Sequence, residues 1–383
     1  MSRSRTVYLV DYACFRPHSN YRISKAEWIE NSHHSRSYDD SGKHRFLTPR
    51  AEAELSIFTT IYDLLLKTCI DLDAIAILVV NCSLFNPTPS LADMIMRRYK
   101  LRDNICNVQL SGMGCSAGLI AVGLAKDLLH NAPSSAHALV VSTEILTGVS
   151  YTGKKREMQL NNMLFRMGGS AVLLSTSSNK ARFELTHVVR NCTSSQDNAY
   201  RCVSYEEDDE RIPGLNLSKD LVDVAGKALT ANITTVGPLI LPLSVKIAFL
   251  LSFISQKVLN GTTKPCVPDF CKAFEHLCIR AGGWAAVIDA VQHSLGLLDE
   301  HVEPSRMPLH KYGNTSSSSV WYELAYSEAK GRMMKGDRVW MIGFGSGYKC
   351  NSALLKCIQP AKSADKAWQD CIYRYPIDVP KEV

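Results

Sequence analysis

Short apolar runs alternate with longer segments of helical periodicity along the chain, and this alternation restricts the fold more than any other feature. Runs rich in valine, isoleucine and leucine predict buried strands in the first half, at residues 7–10, 75–80, 107–110, 138–142 and 171–174. Apolar residues at helical spacing predict helices between them, at residues 51–68, 91–99 and 116–129. Strands that alternate with helices indicate an α/β protein.

The second half of the chain repeats this pattern. It predicts helices at residues 268–279, 284–297 and 320–334, and a strand at 338–345 that ends in a glycine turn. The length of 383 residues is enough for two domains. We therefore interpret the chain as two similar α/β halves that share one site.

The polar, charge-rich stretch 191–211 predicts the boundary between the halves. This gives an N-terminal half at 1–205, a C-terminal half at 206–360 and an unassigned tail at 361–383. An apolar segment at 238–254 could line a tunnel, face a membrane or pack in the core. No part of the chain offers the roughly twenty uninterrupted apolar residues that a membrane-spanning helix needs.

The composition excludes several classes of protein. A hydrophobic content of 46% with a net charge of +6 is incompatible with a mainly disordered chain. The basic runs are short, so we expect no nucleic-acid partner. The 13 cysteines are scattered and include no Cys-x-x-Cys pair. We therefore expect reduced thiols and no metal site.

The segment 111–118, Ser-Gly-Met-Gly-Cys-Ser-Ala-Gly, joins a predicted strand to a predicted helix. It places Cys115 at a helix N-terminus, where unpaired N–H groups and the helix dipole stabilise a thiolate. The glycines on both sides permit a tight turn and the close approach of a substrate. Cys115 is therefore a candidate nucleophile, with a packing cysteine as the alternative. The segment fits a dinucleotide-binding pattern only weakly, because no acidic residue follows at the expected place.

A cysteine nucleophile needs a group that takes its proton and donors that hold the developing oxyanion. The C-terminal half offers His276, His310 and Asn314 for these roles. Taken singly, Asn314 could equally be the N-cap of the helix that follows it, and each histidine could be an ordinary core or surface residue.

Several longer motifs resemble the plant very-long-chain 3-ketoacyl-CoA synthases. They are Val-Tyr-Leu-Val-Asp-Tyr-Ala-Cys at 7–14, the stretch 77–90, the glycine turn 111–118, Leu-Phe-Arg-Met-Gly-Gly at 164–169, Gly-Asn-Thr-Ser-Ser-Ser-Ser at 313–319 with Trp-Tyr-Glu-Leu-Ala-Tyr at 321–326, and Gly-Ser-Gly-Tyr-Lys-Cys-Asn at 345–351. The resemblance extends over nearly the whole chain, to about residue 358.

The resemblance implies a thiolase-like fold, in which two pseudo-symmetric βαβαβ halves form a five-layered α-β-α-β-α core. It also implies a homodimer, or a heterodimer with paralogues, within the fatty acid elongase complex of the endoplasmic reticulum membrane. In this family a cysteine takes the acyl chain from acyl-CoA. A histidine and an asparagine then promote the decarboxylation of malonyl-CoA, whose carbanion attacks the acyl thioester. No cofactor is implied beside these two substrates.

The residues of this chain fit the family's site in part. Cys115 matches the nucleophile and Asn314 matches the asparagine. His276 and His310 match positions that are often histidine in the family and are plausible neighbours of the site. The residues that match substrate-contacting positions are Gly114, Gly345, Ser346 and Gly347.

The family's catalytic histidine lies in the motif Cys-Ile-His-Ala-Gly-Gly, whereas this chain has Cys-Ile-Arg-Ala-Gly-Gly at 278–283, so Arg280 takes its position. A guanidinium cannot accept a proton, although its fixed charge could favour the thiolate. We expect slow acyl loading at Cys115 and strongly impaired condensation. The alternative is a non-catalytic elongase subunit that dimerises with active paralogues and regulates them. The paired transmembrane helices that precede residues 7–10 in the family are also expected to be missing, as in a truncated gene model or a degenerating paralogue.

Overall fold

The computed structural model describes residues 5–18, 48–240, 270–280 and 285–378. Its strands are β1 (Val7–Cys14), β2 (Ile75–Asn81), β3 (Cys106–Leu110), β4 (His137–Glu144), β5 (Gly168–Ser175), β6 (Phe183–Cys192), β7 (Val203–Glu207), β8 (Pro213–Leu217), β9 (His276–Arg280), β10 (Arg338–Gly345) and β11 (Lys349–Cys357). Its α-helices are α1 (Pro49–Thr68), α2 (Leu91–Tyr99), α3 (Ala117–Asn131), α4 (Arg156–Leu164), α5 (Asp197–Arg201), α6 (Leu221–Ile240), α7 (Ala285–Leu295), α8 (Asp299–Tyr312) and α9 (Ser319–Ala329).

A large sheet connects the two parts of the chain. Its strand order is β3-β2-β4-β5-β1-β6-β11-β10-β9, and β7 and β8 form a separate hairpin. The first group of strands is β3-β2-β4-β5-β1, and the second is β6-β11-β10-β9. In the first group, β2 is parallel to β3 and β4, and β5 is antiparallel to β4 and β1. In the second group, β10 is parallel to β9 and antiparallel to β11, which pairs with β6. The groups join where β1 pairs with β6 through residues 7–9 and 183–185.

Alternate residues of the strands pack into different layers. In β4, Ala138 and Val140 belong to a central cluster that includes apolar residues of α3 and α9, whereas Leu139 and Val141 belong to an outer cluster with α1 and α2. β10 divides its residues in the same way between the central cluster and a second outer cluster with α6 and α7. Each half of the sheet is therefore covered on both faces, with α3 and α9 in the middle layer. This is the five-layered arrangement expected of a thiolase-like fold.

Most predicted elements are confirmed to within a few residues, but the helix predicted at 268–279 is wrong. Residues 276–280 form β9 instead, parallel to β10. All five residues of β9 are buried, and its three central residues, Leu277, Cys278 and Ile279, are apolar and pack into clusters on both faces of the sheet. A short continuous apolar run of this kind does not distinguish a strand from a helix. The segment 238–254 lies outside the described residues beyond Ile240.

The placement of β6 bears on the domain boundary. This strand falls within the predicted N-terminal half, yet its longest pairing is with β11 of the other half. The sheet therefore changes from one group of strands to the other between β5 and β6. The boundary at residue 205 stays a prediction.

The tail after residue 360 contributes to the core. Trp368 is fully buried, and its ring packs at 5.0–5.5 Å from the rings of Tyr312, Tyr326 and Tyr375. Its indole N–H donates to the carbonyl of Tyr322 at 3.0 Å. This segment therefore packs against α8 and α9. None of the described helices is long and apolar enough to cross a membrane.

Candidate active site

Cys115 lies in the turn between β3 and α3, as the sequence predicts. Gly112 and Gly114 adopt left-handed backbone conformations with φ values of 65° and 72°, which side chains other than glycine rarely adopt. The N–H of Gly114 donates to the hydroxyl of Ser83 at 3.0 Å and so fixes the turn to the end of β2. The turn delivers Cys115 just before the first residue of α3, Ala117.

The turn after β10 approaches the cysteine turn closely. A Cβ atom on Gly345 would lie 2.6 Å from the hydroxyl of Ser116 and 3.2 Å from the backbone nitrogen of Cys115. A Cβ atom on Gly114 would lie 2.5 Å from the backbone nitrogen of Ser346. Both positions therefore exclude a side chain. Of the four positions predicted to contact substrate, three lie at this junction, and the fourth, Gly347, approaches Ser194 instead.

Asn314 enters the site from the loop between α8 and α9. Its backbone is clamped to the end of α4, since its N–H donates to Leu164 at 3.0 Å and its carbonyl accepts from Arg166 at 2.9 Å. Its side chain is 1% exposed, and its Oδ1 accepts a hydrogen bond from the N–H of Ser316 at 2.9 Å. Asn314 is therefore a buried group of the loop rather than the N-cap of α9.

Ser316 connects this loop to the nucleophile. Its hydroxyl oxygen lies 3.5 Å from the sulfur of Cys115 and 3.1 Å from Oε2 of Glu144. Its φ is 54°, a strained value for a residue other than glycine. The loop of the second half thus touches Cys115 through Ser316, and Asn314 holds the backbone of Ser316 in place.

Glu144 ends β4 and is 2% exposed. Its carboxylate accepts hydrogen bonds from the backbone N–H groups of Ser83 at 3.0 Å and Leu84 at 2.8 Å, and from the thiol of Cys82 at 3.3 Å. Burial raises the pKa of Glu144, and these hydrogen bonds oppose the rise. Sequence analysis did not assign Glu144 to the site. A signal in the sequence that could have indicated it is the acidic residue at the end of a mostly apolar strand. Burying a carboxyl group costs free energy, so buried acidic residues are often found at functional sites.

Arg280 ends β9 and is 3% exposed. Its Nε donates to the carbonyl of Ser316 at 3.0 Å and its Nη1 to the carbonyl of Phe344 at 3.2 Å. Its Nη2 donates to Oδ1 of Asn314. Among the described residues, no carboxylate forms an ion pair with this guanidinium. Arg280 therefore binds the loop that carries Asn314 and Ser316 through neutral oxygen atoms.

The comparisons with known proteins identify the family. Residues 41–258 match the family described as FAE1/Type III polyketide synthase-like protein, and residues 284–357 match the C-terminal region of 3-oxoacyl-[acyl-carrier-protein (ACP)] synthase III. 3-Ketoacyl-CoA synthase 5 of Arabidopsis thaliana is 49% identical over 415 aligned residues, which cover 100% of this chain and 84% of that protein. 3-Ketoacyl-CoA synthase 6 of the same plant is also 49% identical, with 100% and 83% covered. The chain belongs to the 3-ketoacyl-CoA synthase family.

Solved structures confirm the fold. A fungal type III polyketide synthase, ORAS, superposes with a TM-score of 0.65 at 18% identity, covering 92% of this chain and 99% of that one. CsyB complexed with CoA-SH superposes with a TM-score of 0.63 at 18% identity, covering 92% and 100%. Members of the 3-ketoacyl-CoA synthase family are acyltransferase-type condensing enzymes, and this chain has their thiolase-like architecture.

Two residues suggested by the family resemblance are placed away from this cluster. His276 begins β9, four residues before Arg280, and its Nε2 lies 2.8 Å from a carboxylate oxygen of Asp337. His310 is exposed on α8, where its ring packs against that of Tyr375 at 6.2 Å. Because Asp337 and Tyr375 engage these rings, the geometry gives neither histidine contact with Cys115. The roles of His276 and His310 at the site stay predictions, whereas Cys115, Asn314 and Arg280 meet around Ser316.

Proposed function

We propose that this member of the 3-ketoacyl-CoA synthase family accepts a long acyl chain from acyl-CoA on Cys115 and condenses it slowly with malonyl-CoA, as in very-long-chain fatty acid elongation. The observation that carries the proposal is the meeting of Cys115 with the Asn314 loop at the junction of the two halves, through the 3.5 Å contact of Ser316. Thiol, amide and hydroxyl groups of the chain perform this chemistry with the two CoA esters alone, so we propose no metal or cofactor.

The position and chemistry of Arg280 are our reason for proposing that the condensation step is slow. We place it at the position of the family's histidine, where a proton acceptor is expected. A guanidinium does not give up or accept a proton in a protein. Its Nη2 also engages Oδ1 of Asn314, so the amide is tied to a fixed cation. The loss of one positioned proton-transfer group lowers a rate by about 10²–10⁴.

The test is to purify the natural chain beside Arg280→His and Cys115→Ala and to follow two steps separately. Acylation of Cys115 by a long-chain acyl-CoA is measured by mass spectrometry, and condensation is measured as product formed with malonyl-CoA. Arg190→His, on the exposed end of β6, is the matched control for the same change of residue type. We expect Arg280→His to raise condensation by about 10²-fold or more.

Two results would contradict this proposal. If Cys115 is acylated neither in the natural chain nor in Arg280→His, the assignment of Cys115 as the nucleophile fails. If both chains acylate equally and condense equally, Arg280 is not the cause of slow condensation.

A second candidate function is a non-catalytic elongase subunit that dimerises with active paralogues and regulates them. The contact between Arg280 and Asn314 favours it, because it occupies a group that catalysis would use. Co-expression with an active paralogue tests it: the paralogue should co-purify, and its turnover should change when this chain is present.

We further propose a homodimer or such a heterodimer at the endoplasmic reticulum membrane, in the elongase complex. The edge strand β3 supports a partner copy. Among the described strands β3 pairs only with β2, and its residues Cys106 and Asn107 are exposed. An exposed strand edge offers unpaired backbone groups to another chain.

A further inference from the structure

Ser316 has contacts that packing alone does not require. Its side chain reaches the sulfur of Cys115 and the carboxylate of Glu144, its N–H donates to Asn314, and its carbonyl accepts from Arg280. It is 1% exposed and holds a left-handed backbone conformation that costs free energy. A strained, buried hydroxyl in contact with a nucleophile indicates a role in its chemistry.

The direction of the hydrogen bonds follows from the number of hydrogens. A hydroxyl carries one hydrogen, so Ser316 can donate to only one of its two neighbours at a time. An ionised carboxylate only accepts, and the backbone N–H groups of Ser83 and Leu84 hold Glu144 as an acceptor. The Ser316 hydroxyl is placed to donate to the sulfur of Cys115 at 3.5 Å or to Oε2 of Glu144 at 3.1 Å. While its one hydrogen is donated to Glu144, an oxygen lone pair is free to receive the thiol proton. The hydrogens then point along one path, from the sulfur through the hydroxyl to the carboxylate.

We propose that Ser316 and Glu144 form a proton relay that activates Cys115 in place of an imidazole. The S–H bond of Cys115 breaks as its proton moves to the oxygen of Ser316, whose own proton moves to Oε2 of Glu144. The resulting thiolate attacks the carbonyl carbon of acyl-CoA. The tetrahedral intermediate collapses, the acyl–Cys115 thioester forms, and the CoA thiolate leaves with the proton returned along the same path.

The other groups around the sulfur are unsuited to this task. Arg280 reaches Ser316 only through a carbonyl oxygen and cannot accept a proton. Tyr348 interacts electrostatically with both Cys115 and Arg280, and burial raises the pKa of its phenol well above its usual value, so it stays neutral. Burial also raises the pKa of Glu144, which makes it a better proton acceptor than an exposed glutamate. The relay rests on the proposed function, since it serves acyl loading.

The experiment compares the full-length natural chain with Ser316→Gly and Glu144→Gln. Glycine accepts the φ of 54° without strain, so it removes the hydroxyl alone. The matched control is Ser317→Ala, because Ser317 is 3% exposed and donates to Oδ1 of Asn81 at 2.6 Å instead. Alkylation of Cys115 by iodoacetamide is followed from pH 5 to 10 by peptide-resolved mass spectrometry, and acylation by a long-chain acyl-CoA is measured in parallel. Thermal unfolding checks that each variant is folded.

We expect alkylation and acylation of Cys115 at pH 7 to fall about 10²-fold in Ser316→Gly and in Glu144→Gln, and the alkylation profile to move to higher pH. The control should stay within about twofold of the natural chain. Folded variants with unchanged alkylation and acylation would overturn the relay. If the alkylation profile moves but acyl-CoA loads none of the chains, the relay stands and the proposed function fails.

Discussion

Two buried carboxyl groups lie near the site, one in each half of the molecule, and their surroundings differ. Glu144 of the first half accepts two backbone N–H groups, a thiol and the Ser316 hydroxyl. Glu323 of the second half, on α9, is 3% exposed and accepts from the hydroxyl of Ser305 at 3.0 Å. Burial raises the pKa of Glu323 to about 8, although Ser305 and the charge of Arg280 both oppose the rise.

Burial raises the pKa of both carboxyl groups, and they differ in how many hydrogen bonds oppose the rise. Glu144 is surrounded by donors that stabilise its ionised form, and it reaches the nucleophile through one hydroxyl. Glu323 has few donors, and its carboxyl is mostly protonated at neutral pH. The hydroxyl of Ser305 connects Glu323 to the strand that carries Arg280, because it also accepts a hydrogen bond from the N–H of Ile279 at 2.8 Å. Because Glu323 is mostly protonated at neutral pH, it supplies little negative charge to Arg280 there.

The largest expected effect concerns Glu323. Its pKa is about 8 in the folded chain against an ordinary value of 4.5, so the folded state binds the proton more tightly than the unfolded state. Stability is therefore complete below pH 4.5 and falls as the pH rises towards 8. Glu323→Gln removes this loss, and we expect its free energy of unfolding to exceed that of the natural chain by up to about 5 kcal/mol above pH 8.

Denaturant unfolding across pH 5 to 9 measures this effect. Glu300→Gln, a change on the exposed surface of α8, is the control for the loss of one titrating group. A difference between Glu323→Gln and the natural chain that does not grow with pH would show that Glu323 is ionised in the folded state at neutral pH.

A smaller effect of opposite sign is expected at Glu144. Glu144→Leu leaves the N–H groups of Ser83 and Leu84 without their acceptor, and each such loss costs about 1–2 kcal/mol. We expect a fall of about 2–4 kcal/mol in the free energy of unfolding at pH 7. Glu323→Leu, measured beside it, should be neutral or stabilising, because it removes a buried carboxyl group whose pKa burial raises to about 8. If both variants lose the same free energy of unfolding, the two carboxyl groups do not differ in how their hydrogen bonds stabilise the fold.

The smallest effect is expected for Ser305→Ala. It removes the donor that favours ionised Glu323 and the acceptor of the Ile279 N–H, at a cost of about 1 kcal/mol. Because the donor lowers the pKa of Glu323, its loss should extend the decline of stability to higher pH. The same titration of denaturant unfolding detects the shift. Ser327→Ala, at a buried serine of α9 that donates to the backbone carbonyl of Glu323 and not to its carboxyl group, should leave the pH range unchanged.

Much of the fold could be predicted from the sequence because its signals are local. The apolar runs of β2, β4, β5 and β10 and the periodicity of α1, α2 and α3 define these elements without reference to the rest of the chain. β9 could not be assigned in this way, since its apolar residues gain their strand pairing only beside β10. The burial of Trp368 could not be predicted from the sequence either, because the side chains that pack against it come from α8, α9 and the chain end.

The candidate site also has one part that was predictable from local sequence and one part that was not. The cysteine turn was predictable because its glycines and the following helix are contiguous in sequence. The positions of His276, His310 and Asn314 relative to that turn were not predictable, because they depend on how the two halves pack. His276 and Arg280 are at opposite ends of one strand, and only the end with Arg280 approaches Asn314.

The sequence by itself determined an α/β chain with a glycine-flanked cysteine at a helix start and an arginine, Arg280, within the motif Cys-Ile-Arg-Ala-Gly-Gly. These are properties of neighbouring residues, and short-range sterics and periodicity express them directly. Only the tertiary structure decided that Glu144, Ser316 and Cys115 form one line of contacts, since their distances depend on how the two halves pack. Hydrogen bonds act over about 3 Å, so residues far apart in sequence can share a proton only after the whole chain has folded.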